Sequence, residues 1–369
     1  GFGADYAPDS ETYLYGKTPE NIAYCGPYLV KNNTAESTIT FVANPSYWNA
    51  DGINIHTLTW LFNDGTDATK AYTDTMAGTL DGAGLNASSV EAAKNDGVFD
   101  ELAYTSLTDA TAFSAFVNVN RHNFSNATDT TSVRSTQTVS QADRTALAVK
   151  NQAFRQALLL AVDRAAYNAQ SVGEELKLTS LCNSYTPGNF VFLDEEATVD
   201  INGTATTYPA GTFYGEILQA QLDADGFPIK VWDAELGTGD GFDGWYNPEA
   251  AAEYLDKAIS ELGIEITAEN PIYLDLPAFT ASESFYNKAN AFKQSVEAAL
   301  GGKVIINLTE CVDSNAWYYS GYYTDYGYEA NYDVYDVSGW GPDYGDPATY
   351  LNTMLPDYSG YMAKCLGLF

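Results

Sequence analysis

Residues 271–310, PIYLDLPAFTASESFYNKANAFKQSVEAALGGKVIINLTE, decide the fold class, because they contain two strand patterns separated by a helix pattern. The strand patterns are the apolar runs in PIYLDL and KVIINLTE. Between them, apolar side chains recur at helical spacing: Phe285, Ala289, Phe292 and Val296. Two strands joined by such a helix form a parallel βαβ unit, so this stretch predicts an α/β fold.

A second helix pattern immediately precedes this unit, over residues 248–263 (PEAAAEYLDKAISELG). Asn247 is a favourable N-cap, Pro248 suits the first helical position, and Gly263 suits the C-terminal end. Its apolar face is formed by Tyr254, Leu255, Ala258, Ile259 and Leu262. Residues 247–309 therefore predict an α/β lobe with parallel strands.

The rest of the chain gives weaker patterns. Strands are predicted in YLVKNN, STITFVAN and IHTLTWLF between residues 24 and 62, and in AFSAFVNVN at 112–120. A helix is predicted near 67–78, and a longer amphipathic helix over 151–169. Residues 122–148, rich in Thr, Ser and Asn, are expected to form a loop, and residues 180–246 an irregular region with short strands.

The charge is strongly negative, since 49 Asp and Glu residues oppose 17 Lys and Arg residues to give a formal net charge of −32. Such a polyanion is not expected to bind nucleic acid, because that binding depends on neutralising phosphates with Lys and Arg. No apolar run approaches the ~20 residues that a membrane helix needs. The chain starts at GFGADYAPDS without an initiator Met or a leader, so we expect an internal part of a longer protein.

No catalytic, cofactor or metal motif stands out. GDGFDG at 239–244 has the glycines of a dinucleotide site but no preceding strand, and DADG at 223–226 lacks the later ligands of a calcium loop. His56 and His122 are far apart. The four cysteines are widely spread: Cys25, Cys182, Cys311 and Cys365. We predict no cofactor and no metal site, and both disulfides and free thiols stay open for the cysteines.

Four separated stretches point to one family. They are PENIAYCGPYLV…ITFVANPSYWN at 19–49, AFRQALLLAVDR at 153–164, YNPEAAAEYLDKAISELG at 246–263 and SGWGPDYGDPATYLNTM at 338–354. In this order they resemble the motifs of the family 5 solute-binding proteins of ABC importers, the peptide- and oligopeptide-binding group. The match covers most of the chain, although Phe154 stands where the family usually has Val.

The resemblance implies a bilobal periplasmic-binding-protein-like fold (type II, Venus flytrap), in which a hinge joins two mixed α/β lobes. By this match, residues 1–117 are part of the first lobe, and residues 118–369 form the second lobe. The strand near 116–121 would cross the hinge. Family members are longer at both ends, so the fold is expected to be partly truncated here.

The resemblance also implies a function, which is to capture peptides in an interlobe cleft and deliver them to a membrane permease without any chemistry. By the motif match, the family's amine-binding Asp maps onto Asp343, beside Trp340 and Tyr344. An enclosed ammonium needs a carboxylate partner, because an unpaired buried charge is strongly unfavourable. The backbone of residues 336–339, which include Ser338 and Gly339, would bind an extended ligand. Three more positions would line the cleft: Phe279, Thr280 and Trp317.

Other interpretations stay open. The same fold can bind an oligosaccharide, another small uncharged ligand, or nickel, against which the two scattered histidines argue. In another class, a secreted acidic hydrolase would turn over its ligand, and a surface adhesion module would show no enclosed cleft. Asp343 is alternatively a turn residue whose carboxylate accepts backbone N–H groups. The resemblance implies a monomer in the cell envelope or outside the cell, lipid-anchored in its full-length form.

Overall fold

The computed structural model describes residues 13–106, 109–124, 135–358 and 360–368, except for the side chains at 337 and 338. The chain forms two compact units, Gly1–Phe99 and Asp100–Phe369. Both units combine helices with strands, which confirms the predicted mixed α/β class. The lobe boundary at 117/118 and the hinge strand near 116–121 stay predictions.

The described part of the first unit contains a three-stranded sheet and two complete α-helices. Its elements are β1 (Tyr28–Thr34), β2 (Thr38–Ala43), β3 (Thr57–Leu61), α1 (Lys70–Met76) and α2 (Ala87–Asn95). The strands pair antiparallel in the order β1-β2-β3, which confirms the three strands predicted between residues 24 and 62. The Asn86 side chain starts α2 by accepting a hydrogen bond from the Ser89 N–H at 3.0 Å.

The second unit begins within a short helix at the junction with the first. In chain order, the elements are α3 (Phe99–Leu102), β4 (Ala112–Val117), α4 (Val139–Lys150), α5 (Gln152–Ala161), α6 (Arg164–Val172), β5 (Ala197–Ile201), β6 (Thr204–Tyr208), α7 (Tyr214–Asp225), α8 (Pro248–Leu262), β7 (Ile272–Phe279), α9 (Glu283–Ala299), β8 (Val304–Cys311), α10 (Ser314–Tyr319), β9 (Val334–Trp340) and α11 (Ala348–Leu351). In the described part of the chain, no helix has the length and apolarity required to cross a bilayer.

A parallel βαβ unit lies at the centre of the second unit. β7 and β8 pair in parallel, from Ile272 opposite Val304 to Phe279 opposite Cys311. The connecting helix α9 packs on both strands. The strand–helix–strand pattern of residues 271–310 is therefore confirmed.

The main hydrophobic core forms where α4, α5, α8 and α9 pack around these strands. Its fully or almost fully buried side chains include Phe154, Leu160, Leu255, Ile272, Leu274, Leu276, Val296 and Ile306. The predicted caps of α8 are present: the Asn247 side chain accepts from the Ala250 N–H at 3.1 Å, and Gly263 ends the helix with φ of 62°. Glycine adopts this left-handed conformation without strain, so the helix stops there.

The prediction that residues 122–148 form a loop is wrong for their last part, which belongs to α4. The cause is a capping box, in which the Thr138 hydroxyl accepts from the Gln141 N–H at 3.3 Å and the Gln141 side chain accepts from the Thr138 N–H at 2.8 Å. Buried Ala148 then lets the helix pack closely on β7. Polar residues therefore start a helix where composition alone indicates a loop.

The single helix predicted over 151–169 is two helices, because Asp163 lies between α5 and α6 with an extended backbone. Its side chain accepts a hydrogen bond from the Ala166 N–H at 2.8 Å and caps α6. The apolar stripe itself is confirmed, since Phe154, Leu158 and Ala161 are buried. Residues 180–246 contain the short strands β5 and β6 as predicted, and also α7, which the sequence interpretation missed.

None of the four cysteines, all of which lie within the described residues, forms a disulfide bond, which decides between the two open interpretations. Cys25 is exposed and Cys182 half-buried, while Cys311 and Cys365 are buried. Burial is the main cause that raises the pKa of the Cys182 and Cys311 thiols to about 12. Both are therefore protonated at neutral pH and are poor nucleophiles.

The antiparallel pair of β4 and β9 is separate from the βαβ pair and positions the candidate site. Its ladder runs from Ala112 opposite Trp340 to Val117 opposite Val334. Within it, residues 336–337 of β9 face a single residue of β4, which is a β-bulge. The strand that leads to Asp343 therefore carries one extra residue in its middle.

Replacing Leu255 by Ala should lower the free energy of unfolding by about 2–5 kcal/mol, because the deletion leaves a cavity in the main core. Leu255 is 1% exposed. Chemical denaturation measures the loss. The matched control is Leu147→Ala on α4, where the side chain is 53% exposed and the expected loss is below about 0.5 kcal/mol. Equal losses in the two variants would contradict the assigned core.

Candidate functional site

β9 leaves one of its two edges without a strand partner in the described residues, and this edge, named the open edge, lies beside the predicted site. The strand pairs with β4 along one edge, and within the described residues no other strand pairs with its second edge. Residues 336–339, the predicted backbone contacts, lie in this strand, and the backbone of Ser338 pairs with Ser114. The Ser338 side chain lies outside the described atoms. An extended peptide can add to such an edge through main-chain hydrogen bonds.

Gly339 lies against an exposed aromatic ring from β4. Phe113 is opposite Gly339 in the ladder, and a Cβ at position 339 would lie 2.6 Å from the Cδ1 atom of that ring. A larger residue at this position would therefore displace Phe113. The Phe113 side chain is itself 69% exposed, although it is apolar. It is therefore accessible to an apolar group of a ligand.

Asp343 lies in the exposed turn that follows β9. Its N–H donates to Thr349 Oγ1 at 3.0 Å, which fixes the backbone of the turn. Within the described residues, its carboxylate has no hydrogen-bond donor and no cation in contact. Asp346 is the acid that accepts a turn N–H, from Ala348 at 2.7 Å. The Asp343 carboxylate is therefore available to an incoming cation.

The two aromatic residues beside Asp343 differ in exposure. Trp340 is half-buried against Phe116 and Met362. Its indole Nε1 is buried and has no hydrogen-bond acceptor among the described residues. Tyr344 is 54% exposed. Trp340 therefore belongs to the packed support of the turn, whereas Tyr344 can contact a ligand.

The remaining predicted site residues form a separate aromatic cluster behind β9. Trp317 is only 4% exposed and stacks on Tyr335 of β9, with ring centroids 5.2 Å apart, and on Phe279, at 6.4 Å. The Thr280 hydroxyl donates to the Cys311 carbonyl at 3.2 Å. The cluster supports β9 through Tyr335. Ligand contact by Phe279, Thr280 and Trp317 stays a prediction.

Asp336 brings a half-buried carboxyl to the bulge of β9. Its carboxylate accepts a hydrogen bond from the Tyr167 hydroxyl at 3.0 Å. The Lys288 ammonium lies 4.1 Å from the centroid of the Phe285 ring and 5.6 Å from that of Tyr167. Burial raises the pKa of Asp336 to about 6, although the Tyr167 hydrogen bond and the Lys288 charge act in the opposite direction. This group therefore changes charge just below neutral pH.

The sequence interpretation missed Phe113, and it placed the backbone of Asp336 at the site but not its carboxyl group. For Phe113 a signal exists, because Phe113 and Phe116 are three residues apart in a strand and must lie on opposite faces. One of the two rings is therefore kept out of the core. For Asp336 no local signal exists, since its hydrogen-bond donor Tyr167 is 169 residues away in the chain.

Metal-binding groups do not come together in the part of the chain that the structure describes: no three His, Cys, Asp or Glu side chains there are placed to hold an ion. The DADG stretch at 223–226 forms the end of α7, where Gly226 adopts the left-handed conformation with φ of 67°. Its glycine therefore acts as a helix C-cap.

Comparison with known proteins identifies the family. The sequence model of the bacterial extracellular solute-binding proteins, family 5 (middle), matches residues 4–361. The chain therefore belongs to this family, and the resemblance in the four motifs is confirmed.

The relatives include streptococcal oligopeptide-binding proteins. The chain is 31% identical to the oligopeptide-binding protein SarA of Streptococcus gordonii, over 94% of this chain and 48% of that protein. It is 30% identical to the oligopeptide-binding protein AliB of Streptococcus pneumoniae, over 96% of this chain and 50% of that protein. The chain thus spans about half the length of the curated relatives it matches.

Solved structures share the fold at lower identity. The substrate-binding domain of an oligopeptide ABC transporter from Bacillus anthracis has a TM-score of 0.55 and 15% identity, with 95% of this chain and 52% of that chain covered. The murein tripeptide binding protein MppA of Escherichia coli has a TM-score of 0.51 and 16% identity, with 95% and 52% covered. These similarities confirm the predicted periplasmic-binding-protein-like fold class.

Asp336→Asn should change how stability depends on pH. Because the folded-state pKa of about 6 lies above the ordinary value of 3.8, the folded protein holds a proton that the unfolded chain releases between these pH values. Through this group, wild-type stability falls as pH rises from about 4 to 6, by up to roughly 3 kcal/mol, and does not recover at higher pH. The stability of the variant should not show this decrease between about pH 4 and 6.

Chemical denaturation near pH 4 and near pH 7.5 checks the expectation, because the variant should gain stability relative to wild type at the higher pH. The control is Asp194→Asn at an exposed position, which should keep the wild-type profile. Parallel profiles for wild type and Asp336→Asn would contradict the raised pKa.

Proposed function

We propose that this chain is the ligand-binding part of an extracellular solute-binding protein that captures peptides and delivers them to the permease of an ABC importer. The family and the names of the streptococcal relatives support the peptide class. The observation that carries the proposal is the Asp343 carboxylate, which is exposed and unpaired within the described residues, at the end of an open strand.

The open edge of β9 suits a ligand of varied sequence. Every peptide carries the same backbone N–H and C=O groups, so binding through these groups does not depend on side chains. Residues 336–339 would supply the complementary groups, and Gly339 adds no side chain that would obstruct the ligand. Phe113 and Tyr344 would then contact ligand side chains.

The Asp343 carboxylate would hold the terminal ammonium group of the peptide. Hydrogen bonds between oppositely charged groups are shorter and stronger than neutral ones, so one carboxylate suffices to orient the ligand. The net charge of −32 assists the approach of a cationic end over distances up to the Debye length of ~8 Å. It contributes to association rate more than to specificity.

The proposed role requires no chemistry on the ligand, and therefore no catalytic residue, cofactor or metal. The extracellular location follows from the family. A lipid anchor on the complete protein, action as a monomer, and the permease as partner are parts of the same proposal.

Asp343→Asn in the complete protein should weaken the binding of free-amine peptides by about tenfold or more, because it removes one partner of a charged pair. N-acetylated peptides lack the ammonium group, so they should bind wild type poorly and be nearly insensitive to the substitution. Isothermal titration calorimetry measures both peptide series.

The matched control is Asp346→Asn, which removes a carboxylate that serves the turn and not the ligand. It should leave peptide affinity near that of wild type. Equal affinity of wild type for free and acetylated peptides would contradict the role of Asp343 and would favour an uncharged ligand such as an oligosaccharide.

Phe113→Ala should weaken the binding of peptides with bulky apolar side chains by about fivefold. This loss corresponds to the burial of part of an aromatic ring. Alanine-rich peptides should lose much less. Because Phe113 is 69% exposed, thermal stability should stay near that of wild type. Phe192→Ala, at another ring that is 54% exposed, is the control. A uniform loss for all peptides would refute a side-chain contact at Phe113.

A further inference from the structure

Arg121 is a buried cation that joins three separate segments of the second unit. It is 7% exposed. Its Nη1 lies 2.8 Å from Oδ2 of both Asp275 and Asp333, and its Nη2 donates to Asn331 Oδ1 at 2.6 Å. Its Nε donates to the Asn123 carbonyl at 2.9 Å. The guanidinium therefore connects the chain after β4 with the middle of β7 and with the residues that lead into β9.

The acidic partners of Arg121 are buried at least as deeply. Asp275 is 0% and Asp333 2% exposed. Asp333 Oδ2 also accepts from Gln137 Nε2 at 2.7 Å and from the Asp275 N–H at 2.9 Å, and Asn307 donates to Asp275 Oδ1 at 3.2 Å. Two buried carboxylates require a buried cation, because an unpaired charge in such a place is strongly unfavourable. The network is thus a fixed arrangement of the interior.

The network acts where β9 begins. Asp333 immediately precedes the strand, its N–H donates to the Asp275 carbonyl at 3.0 Å, and its carbonyl accepts from the Asn118 N–H at 2.9 Å. Further along, the bulge at 336–337 interrupts the β4–β9 ladder. A slip by one residue there would turn every later side chain to the opposite face. A strand whose start is held at Asp333 by these hydrogen bonds has less freedom to slip in this way.

We propose that Arg121 is a positioning residue for ligand binding, since its guanidinium fixes the start of β9 and thereby the register of the open edge and the place of the Asp343 turn. The inference rests on the proposed function, because it assigns Arg121 an effect on peptide affinity through β9 and without contact with the peptide. Lysine cannot replace arginine here, because a single ammonium does not reproduce the planar fork that reaches Asp275, Asp333 and Asn331 together.

Arg164 provides a matched control in the same unit. Its guanidinium donates to the Cys182 carbonyl at 2.8 Å, to Asn183 Oδ1 at 2.6 Å and to Asp243 Oδ1 at 2.7 Å, and it lies over the Trp245 ring. None of these partners belongs to β4 or β9. Loss of its fork therefore tests general destabilisation without disturbing the candidate site.

The experiment compares Arg121→Lys with Arg164→Lys in the complete protein, by calorimetric titration with a free-amine oligopeptide and by backbone hydrogen exchange. Arg121→Lys should weaken peptide binding by about fivefold or more, because a binding site loses affinity when the residues that support it are less firmly held. Its amides in 334–340 should exchange faster, while those of β7 and β8 stay protected. Arg164→Lys should keep the peptide affinity and the exchange of β9 near those of wild type.

A second pair of variants applies if Arg121→Lys does not fold. Asp333→Asn keeps an oxygen that can accept the same hydrogen bonds, so peptide affinity should be retained. Asp333→Ala removes the hydrogen-bond acceptor and should weaken peptide binding. Equal affinity losses in the two arginine variants, or unchanged exchange in β9 of Arg121→Lys or Asp333→Ala, would overturn the inference. If wild type binds no peptide, the proposed function fails, and the exchange of β9 still decides whether Arg121 positions the strand.

Discussion

One buried guanidinium, that of Arg121, connects the strand that carries the candidate site with the main core. Asp275 lies in the parallel βαβ pair, and Asp333 immediately precedes β9, so the shared cation links one sheet to the start of a strand in another. Breaking this connection is costly, because removing one partner leaves a buried charge uncompensated. In the proposed account, this connection sets the positions of the open edge of β9 and of the turn at Asp343.

The part of the fold that local signals control could be predicted from sequence. The βαβ unit and α8 were predictable because apolar periodicity, Asn247, Pro248 and Gly263 all indicate the same structure. The errors occurred where a polar residue of a kind that is typical of loops instead caps a helix. Thr138 starts α4 inside a stretch whose composition indicates a loop, and Asp163 divides a continuous apolar stripe into two helices. In both places a capping bond outweighed the wider pattern.

The residues of the candidate site also differ in whether the sequence alone indicates them. Asp343 could be proposed from sequence because its motif is continuous, and the structure adds that its carboxylate serves no turn N–H within the described residues. The roles of Arg121 and Asp336 could not be predicted, because their partners are distant in the chain. Arg121 is separated by 154 residues from Asp275 and by 212 from Asp333. No local pattern marks a buried ion pair of this kind. Only the packed fold brings such residues together.

The most direct test of the account is a crystal structure of the complete protein with the ligand that co-purifies with it. The account predicts an extended peptide that hydrogen-bonds to the backbone of β9, with its terminal nitrogen about 2.7–2.9 Å from a carboxylate oxygen of Asp343. A ligand without a free amine, or a peptide whose amine is bound away from Asp343, would contradict it.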